Sequence, residues 1–287
     1  MNRKAIATKV RNQELIVAPG IYDLISAKMA DRMGFDALYV TGYGLVASYL
    51  GLPDAGLATY TDMLHRISRM CEMTETPIMA DADTGYGGLL NVAHTVKGYE
   101  KAGVAAIQIE DQAWPKKCGH EPGRRVVDID EMVGRIKAAV DARDDDQLAI
   151  IARTDARTSL GIDVAIERAL RYQEAGADVV FVESPESEAE MQQIHQHIKG
   201  PTLANMVEGG RTPVLPAAKL QSLGYSLAIY PNSLTRMIAN QGANMLSSLK
   251  QTGSTAEFAD RMVGHRGLWD LFDYPEWTEL ERKFVKY

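Results

Sequence analysis

Eight short apolar runs, each followed by a stretch with helical patterning, constrain this chain more than any other feature. The runs are LIVAPG (15–20), ALYVTG (37–42), PIMADAD (77–83), AAIQIED (105–111), LAIIARTDA (148–156), VVFVES (179–184), PTLANM (201–206) and LAIYPN (227–232). They are near-continuously apolar rather than alternating, the pattern of parallel strands covered on both faces. Among the intervening segments, TYTDMLHRISRMCEM opens with Thr and Asp capping chemistry and DIDEMVGRIKAAVDA carries acids in its first turn. GIDVAIERALRYQEAG ends at Gly176, a natural C-cap. No composition shift or linker splits the 287 residues. Strands alternating with helices predict an α/β fold, a single (β/α)₈ TIM-type barrel over 1–287. Two further helical stretches, near 233–251 and 254–287, predict a C-terminal helical extension from about residue 250. The alternative, an open doubly wound sheet, has no G-x-G-x-x-G after its first strand.

The composition narrows the function. A net charge of -7 with no long basic run leaves no footprint for nucleic acid. No stretch approaches the ~18 apolar residues of a membrane helix, and the N-terminus lacks the apolar run of a signal peptide. The expected location is the cytoplasm. The two cysteines, Cys71 and Cys118, are neither dense nor closely spaced, so a disulfide scaffold is not expected.

Barrel strands are apolar at their middles, yet here polar groups gather at their C-terminal ends: Thr41, Asp81, Asp83, Gln108, Glu110, Arg153, Asp155, Glu183, Asn205 and Ser233. Barrel active sites lie at that end. Buried carboxylates cost several kcal/mol unless paired or metal-bound, so repetition on nearly every strand favours a site. Strand alternation places Asp81 and Asp83 on one face, as it does Gln108 with Glu110 and Arg153 with Asp155. Hard oxygen donors without His or Cys suit Mg²⁺, or Mn²⁺, better than Zn²⁺. The plainer alternative is that Asp81 or Asp83 caps the next helix.

WPKKCGHEPGRR (114–125) follows the fourth strand and, rich in Pro, Gly and charge, reads as a loop over the catalytic end. Cys71, inside a helical stretch, reads as a small buried hydrophobe. Cys118 differs, because Lys116, Lys117 and His120 flank it. Cationic neighbours lower a thiol pKa and ease proton donation. A zinc pair of Cys118 and His120 would lack the second Cys/His pair to complete it. The remaining histidines lie in helical stretches and read as surface or satisfied positions.

On these residues the chain resembles the isocitrate lyase/phosphoenolpyruvate mutase superfamily, and within it the 2-methylisocitrate lyase-like and 2,3-dimethylmalate lyase-like members. The most specific element is KKCGH (116–120), supported by YVTGYG, LGLPD, DADTGYG, IEDQ, ARTDA, LANMVEGGRTP and IYPNS in order. The resemblance implies a modified barrel in a homotetramer whose C-terminal helix is swapped onto a neighbouring subunit. It implies Mg²⁺ held by Asp81, Asp83, Glu110 and Glu183, partly through water, with Asp54 behind them. Thr41, Gly42, Tyr43, Gly119, Asn205, Ser233 and Arg236 fall among its substrate-binding positions, and Tyr39, Lys116, Cys118, His120 and Arg153 among its catalytic ones. The implied reaction is retro-aldol-type cleavage of a small anionic 2-hydroxy acid to pyruvate and a second carboxylic acid, Cys118 protonating the carbanion. Tyr43 replaces the usual glycine of methylisocitrate lyases, Thr41 a serine, Gln108 a histidine and Asn232 a leucine. Tyr43 narrows the pocket toward 2,3-dimethylmalate, whereas Arg236, which matches the distal-carboxylate arginine, favours 2-methylisocitrate. Rival readings are an oxaloacetate decarboxylase or acetylhydrolase, a phosphonopyruvate-type mutase or hydrolase, and a non-catalytic acid-binding barrel.

Overall fold

The computed structural model describes residues 3–12, 14–119, 121 and 123–285. Every apolar run becomes a strand: β1 (Ile16–Ile21), β2 (Leu38–Val40), β3 (Ile78–Asp81), β4 (Ala106–Glu110), β5 (Ala149–Thr154), β6 (Val179–Val182), β7 (Leu203–Asn205) and β8 (Leu227–Tyr230). They form one parallel sheet in the order β6-β5-β4-β3-β2-β1-β8-β7. A parallel bridge from Val180 to Thr202 brings its two ends together, so the barrel is nearly closed.

The helices are α1 (Arg3–Arg11), α2 (Leu24–Asp31), α3 (Gly42–Leu45), α4 (Tyr60–Met73), α5 (Leu89–Ala102), α6 (Ile129–Ala142), α7 (Arg157–Leu160), α8 (Ile162–Glu174), α9 (Glu188–His197), α10 (Ala217–Leu223), α11 (Ser233–Thr252), α12 (His265–Leu271) and α13 (Tyr274–Phe284). Local chemistry sets several of their ends. Thr59 and Asp62 close a capping box on α4, and the Asp128 side chain accepts from the Asp130 N–H at the start of α6. Gly176, with φ at +106°, follows the C-cap Ala175 of α8, one residue beyond the expected cap position.

Two apolar layers hold the barrel together. Outward strand residues such as Leu38, Ile78, Ile107 and Ile150 pack on the helices through Ile67, Val96, Ile136 and Ile166. Inward residues such as Ile16, Met79, Ile151, Phe181 and Ile229 fill the lumen, joined there by Ile6 and Val10 of α1. Arg3 of α1 donates to the carbonyl of Val104 (2.8 Å), just ahead of β4, so α1 stops the N-terminal end of the barrel. That leaves the opposite, C-terminal end for chemistry.

The chain divides into two compact units, Met1–Thr235 and Arg236–Tyr287. The segment expected as one helical stretch over 254–287 is three pieces: a 3₁₀ turn (Ala256–Arg261), α12 and α13. Gly264 precedes α12, and Pro275 in the first turn of α13 cannot continue a preceding helix. No helix among the described residues is long and apolar enough to cross a membrane.

Candidate active site

Register builds the site. Parallel pairing sets Asp81 beside Gln108 and Glu110 beside Arg153. Asp81, Glu110 and Arg153 lie at or next to the C-terminal ends of β3, β4 and β5. Glu183 follows β6, Asn205 ends β7, and all five are buried. Asp83 joins them by another route than the alternation expected from sequence. β3 stops at Asp81, and Asp83 stands in the left-handed region with φ at +47°, its N–H bonded to Asp81 Oδ1 (3.0 Å). Asp155 likewise lies beyond β5. Neither aspartate caps α5, whose N-cap is Gly88, so the helix-cap alternative fails. Ser184, with φ at +62°, sits at the same end of the barrel; such backbone is retained where the surroundings over-determine it, often at functional sites.

The carboxylates converge on small residues and cations. A Cβ on Gly42 would lie 2.7 Å from Asp81 Oδ2 and 3.6 Å from Asp83 Oδ1, so only glycine admits both there. Arg153 forms a two-point pair with Asp155 (2.9 Å and 2.9 Å) and reaches Glu183 Oε2 (3.2 Å) and Glu110 Oε2 (3.5 Å). Asn205 Nδ2 donates to Glu183 Oε2 (3.0 Å) and Ser184 Oγ to Glu183 Oε1 (3.1 Å). Tyr39 donates to Gln108 Oε1 (3.1 Å), and Gln108 Nε2 reaches Asp81 Oδ1 (3.4 Å). Gln108 thus ties Tyr39 to Asp81.

The loop after β4 closes over this ring. Lys116 is buried, paired with Asp54 and with Asp83 Oδ1 (2.6 Å). A Cβ on Gly119 would stand 2.2 Å from Arg153 Nη2 and 3.0 Å from Glu183 Oε2, so the backbone beside Cys118 rests directly on the site. Cys118 is half-buried and, like the buried Cys71, is not in a disulfide. His120 lies outside the described residues. Thr41 is buried at the start of α3 and Tyr43 is half-buried on it. The Ser233 hydroxyl donates to Glu208 (2.6 Å), and Arg236 is exposed in the second unit.

Burial and charge set the protonation. Burial pushes Asp83 up to about 7, with Lys116 pulling it down and Asp81 pushing it further up. Burial also raises Glu110 well above the usual carboxylate range, against the pull of Arg153. For Lys116 burial favours the neutral amine, but Asp83, Asp54, Glu110 and Asp81 outweigh it and hold the ammonium well above its ordinary value. Burial raises Tyr39 well above its ordinary value, so it acts as a neutral hydroxyl.

Could this ring take a divalent cation? Among the described residues no three Asp, Glu, His or Cys side chains draw close enough to surround one ion unaided. Yet Glu110 Oε1 and Asn205 Oδ1 are buried with no hydrogen-bond donor, and Asp83 Oδ1 has the Lys116 ammonium nearby without hydrogen-bond geometry. Unsatisfied, hard oxygens on a loose ring fit an ion that keeps several of its waters, as Mg²⁺ does. A cavity of 740 Å³ is lined by Thr84, Tyr86, Trp114, Glu131 and Arg135 but by none of the ring's carboxylates. Converging charge and buried, unsatisfied oxygens, rather than that volume, make the ring the candidate site.

Sequence missed several members of this constellation. Asp111, fully buried, accepts from Thr154 Oγ1 (2.7 Å), Tyr172 OH (2.8 Å), Arg168 Nη1 (3.0 Å) and the Asp155 N–H (2.9 Å). Arg124, at the end of the Cys118 loop, pairs with Asp155 and Thr158. Asn232, legible in the sequence only as a departure from the family pattern, follows β8 and keeps a buried Oδ1 with no hydrogen-bond partner. The motif IEDQ contains Asp111, but its partners lie 43 to 61 residues away and nothing local announces them.

Known proteins resemble this chain over nearly its whole length. The chain is 50% identical over 283 residues to 2,3-dimethylmalate lyase of Eubacterium barkeri, covering 99% of this chain and 96% of that one. It is 41% identical to probable 2-methylisocitrate lyase 2 of Corynebacterium glutamicum, covering 99% and 92%. A solved oxaloacetate acetylhydrolase, in complex with 3,3-difluorooxalacetate, superposes with a TM-score of 0.93 at 34% identity, covering 98% and 96%. A sequence profile described as phosphoenolpyruvate phosphomutase matches residues 8–250, and the chain therefore belongs to that family, within the isocitrate lyase/phosphoenolpyruvate mutase superfamily.

Proposed function

We propose that this protein cleaves a small 2-hydroxy dicarboxylate, 2,3-dimethylmalate in the first instance, to pyruvate and propionate, with Mg²⁺ as cofactor. It is an enzyme of the carbon–carbon lyase type. The observation that carries the finer reading is the loop: its Cys–Gly backbone rests on Arg153 and Glu183 above a ring of buried carboxylates. A closed site of that kind excludes water from a carbanion and brings a thiol to it.

Asp81, Asp83, Glu110 and Glu183 would hold the ion, whose Lewis acidity would favour loss of the substrate's 2-hydroxyl proton. As a carboxylate of the ring takes up that proton, the oxygen electrons form the C2 carbonyl and the C2–C3 bond breaks. Its electron pair moves to C3, where the attached carboxylate delocalises it. Arg153 offers positive charge to that dianion, as does the Lys116 ammonium, in a site dry enough for both to act strongly. Cys118 then gives its S–H proton to C3. Tyr39, neutral and fixed by Gln108, orients the substrate oxygens. The 50% identity to a 2,3-dimethylmalate lyase supports this substrate. Tyr43 supports it too, by taking space where methylisocitrate lyases carry glycine.

Proton NMR of the purified protein with Mg²⁺ decides among substrates, each run with an EDTA control. The panel is 2,3-dimethylmalate, 2-methylisocitrate, oxaloacetate and phosphonopyruvate. Pyruvate with propionate is the expected result. Pyruvate with succinate would move the substrate to 2-methylisocitrate, and consumption of oxaloacetate or phosphonopyruvate alone would overturn the lyase reading.

A further inference from the structure

We infer that Asp155 and Arg124 are positioning residues that make closure of the Cys118 loop and orientation of Arg153 a single event. This rests on the reading of Arg153 and Cys118 as pocket groups. Asp155 is fully buried and lies one residue beyond β5. Its Oδ2 accepts from Arg153 Nε and its Oδ1 from Arg153 Nη2, both at 2.9 Å. The same Oδ1 accepts from Arg124 Nη1, and Arg124 Nη2 donates to Thr158. Arg124 comes at the far end of the loop that starts at Lys116, and its side chain is 1% exposed. One carboxylate therefore serves a pocket guanidinium and a loop guanidinium together.

The carboxylate is itself held still. Its backbone N–H donates to Asp111 Oδ1 (2.9 Å), and Asp111 is fixed by Thr154, Tyr172 and Arg168. On the other side, Gly119 lies against Arg153 Nη2 so closely that no Cβ would fit. The loop thus meets Arg153 twice, directly at Gly119 and through Asp155 at Arg124. Withdrawing Arg124 leaves Asp155 with one cationic partner instead of two and removes one of the loop's two buried cationic anchors, the other being Lys116. An open loop and a loosened Arg153 are then the same state, and an anion that binds Arg153 favours the closed loop by linkage. A guanidinium is suited to this role because its planar fork meets Asp155 and Thr158 at once.

The test uses the full chain and Arg124→Met, Arg124→Lys and Asp155→Asn. Iodoacetamide labelling of Cys118, located by peptide mapping to separate it from buried Cys71, reports the loop. Oxalate, a planar dianion, with and without Mg²⁺, probes Arg153 through its protection of the thiol. Arg124→Met is expected to speed Cys118 labelling about tenfold and to weaken oxalate about fivefold. Arg124→Lys should restore part of both, and Asp155→Asn should show the larger oxalate loss. Wild-type labelling in Arg124→Met, or faster labelling with unchanged oxalate affinity, overturns the coupling. A purely structural ion pair would lower the unfolding midpoint and leave both readouts alone. If oxalate fails to protect even the wild type, the pocket reading of Arg153 fails, and the coupling to Arg153 fails with it.

Discussion

Asp83 shows how a residue can be legible as a type and illegible as a position. Its carboxylate in DAD was recognisable as a donor, and it does meet Asp81 around Gly42. The means is a left-handed turn at the strand's end, not the alternation of a strand, and no spacing rule encodes that. Lys116 was legible as loop charge and, through the resemblance, as a catalytic position; its burial against Asp54 and Asp83 depends on a loop that folds inward. Two expectations belong here. Lys116→Met removes the cation from two buried carboxylates, which costs about 3–5 kcal/mol when one partner of a buried pair is lost. Urea unfolding in EDTA measures it, and Mg²⁺ should return part of the loss; a variant as stable as wild type would show the carboxylates are not held charged by Lys116. Cys118→Ser should keep the wild-type far-UV circular dichroism and unfolding midpoint, because the residue is half-buried on a loop and serine is smaller. Its kcat should fall about a hundredfold or more, the typical loss of a general acid, and near-full turnover would remove Cys118 from the mechanism.

At the scale of the element, the eight strands were legible because parallel strands covered on both faces must be apolar throughout, and α4 and α6 because their caps are written in Thr59, Asp62 and Asp128. The stopper helix α1 was not legible. Ile6 and Val10, a single i, i+4 pair of large apolar residues among alanine, basic and polar neighbours, acquire meaning only once a barrel lumen exists for them to fill. Ile6→Ala should therefore cost about 2–4 kcal/mol of stability, read by urea unfolding, while kcat stays at the wild-type value because α1 sits at the end opposite the site. In α9, His195 read as a bland helical histidine, and it is packed edge-on against Tyr225 with centroids 4.4 Å apart. Burial lowers its pKa from 6.5 to about 4. Below 6.5 the unfolded chain takes a proton there that the folded chain refuses until about pH 4. Its contribution to stability is thus present above pH 6.5 and lost as pH falls toward 4. With the ring partly open to solvent, that loss is about 1–2 kcal/mol. His195→Phe, which keeps the aromatic contact, should show a flatter dependence of the urea midpoint between pH 6.5 and 4; an equal slope in the two proteins would remove His195 as the cause.

At the scale of the whole molecule, the second unit presents an unusual surface. None of its described residues is buried, yet it carries Trp269, Phe272, Trp277, Leu280 and Phe284. On α13, Trp277, Leu280 and Phe284 recur at i, i+3 and i+7 and so form one stripe, with exposures of 63%, 48% and 79%. A helix that shows water three large apolar side chains in line gains nothing by folding alone; contiguous apolar surface of this kind marks an association site. The resemblance that implied a homotetramer with an exchanged C-terminal helix gives that surface a purpose, and a second copy of the chain is the occupant we propose. Light scattering on the purified protein should then return about four chain masses. The triple variant Trp277→Glu, Leu280→Glu, Phe284→Glu puts three charges on the stripe and changes no barrel residue. It should yield a smaller particle with wild-type far-UV circular dichroism. A particle of unchanged mass would show that the assembly, if one forms, uses another surface, and a wild-type protein that scatters as one chain would remove the tetramer altogether.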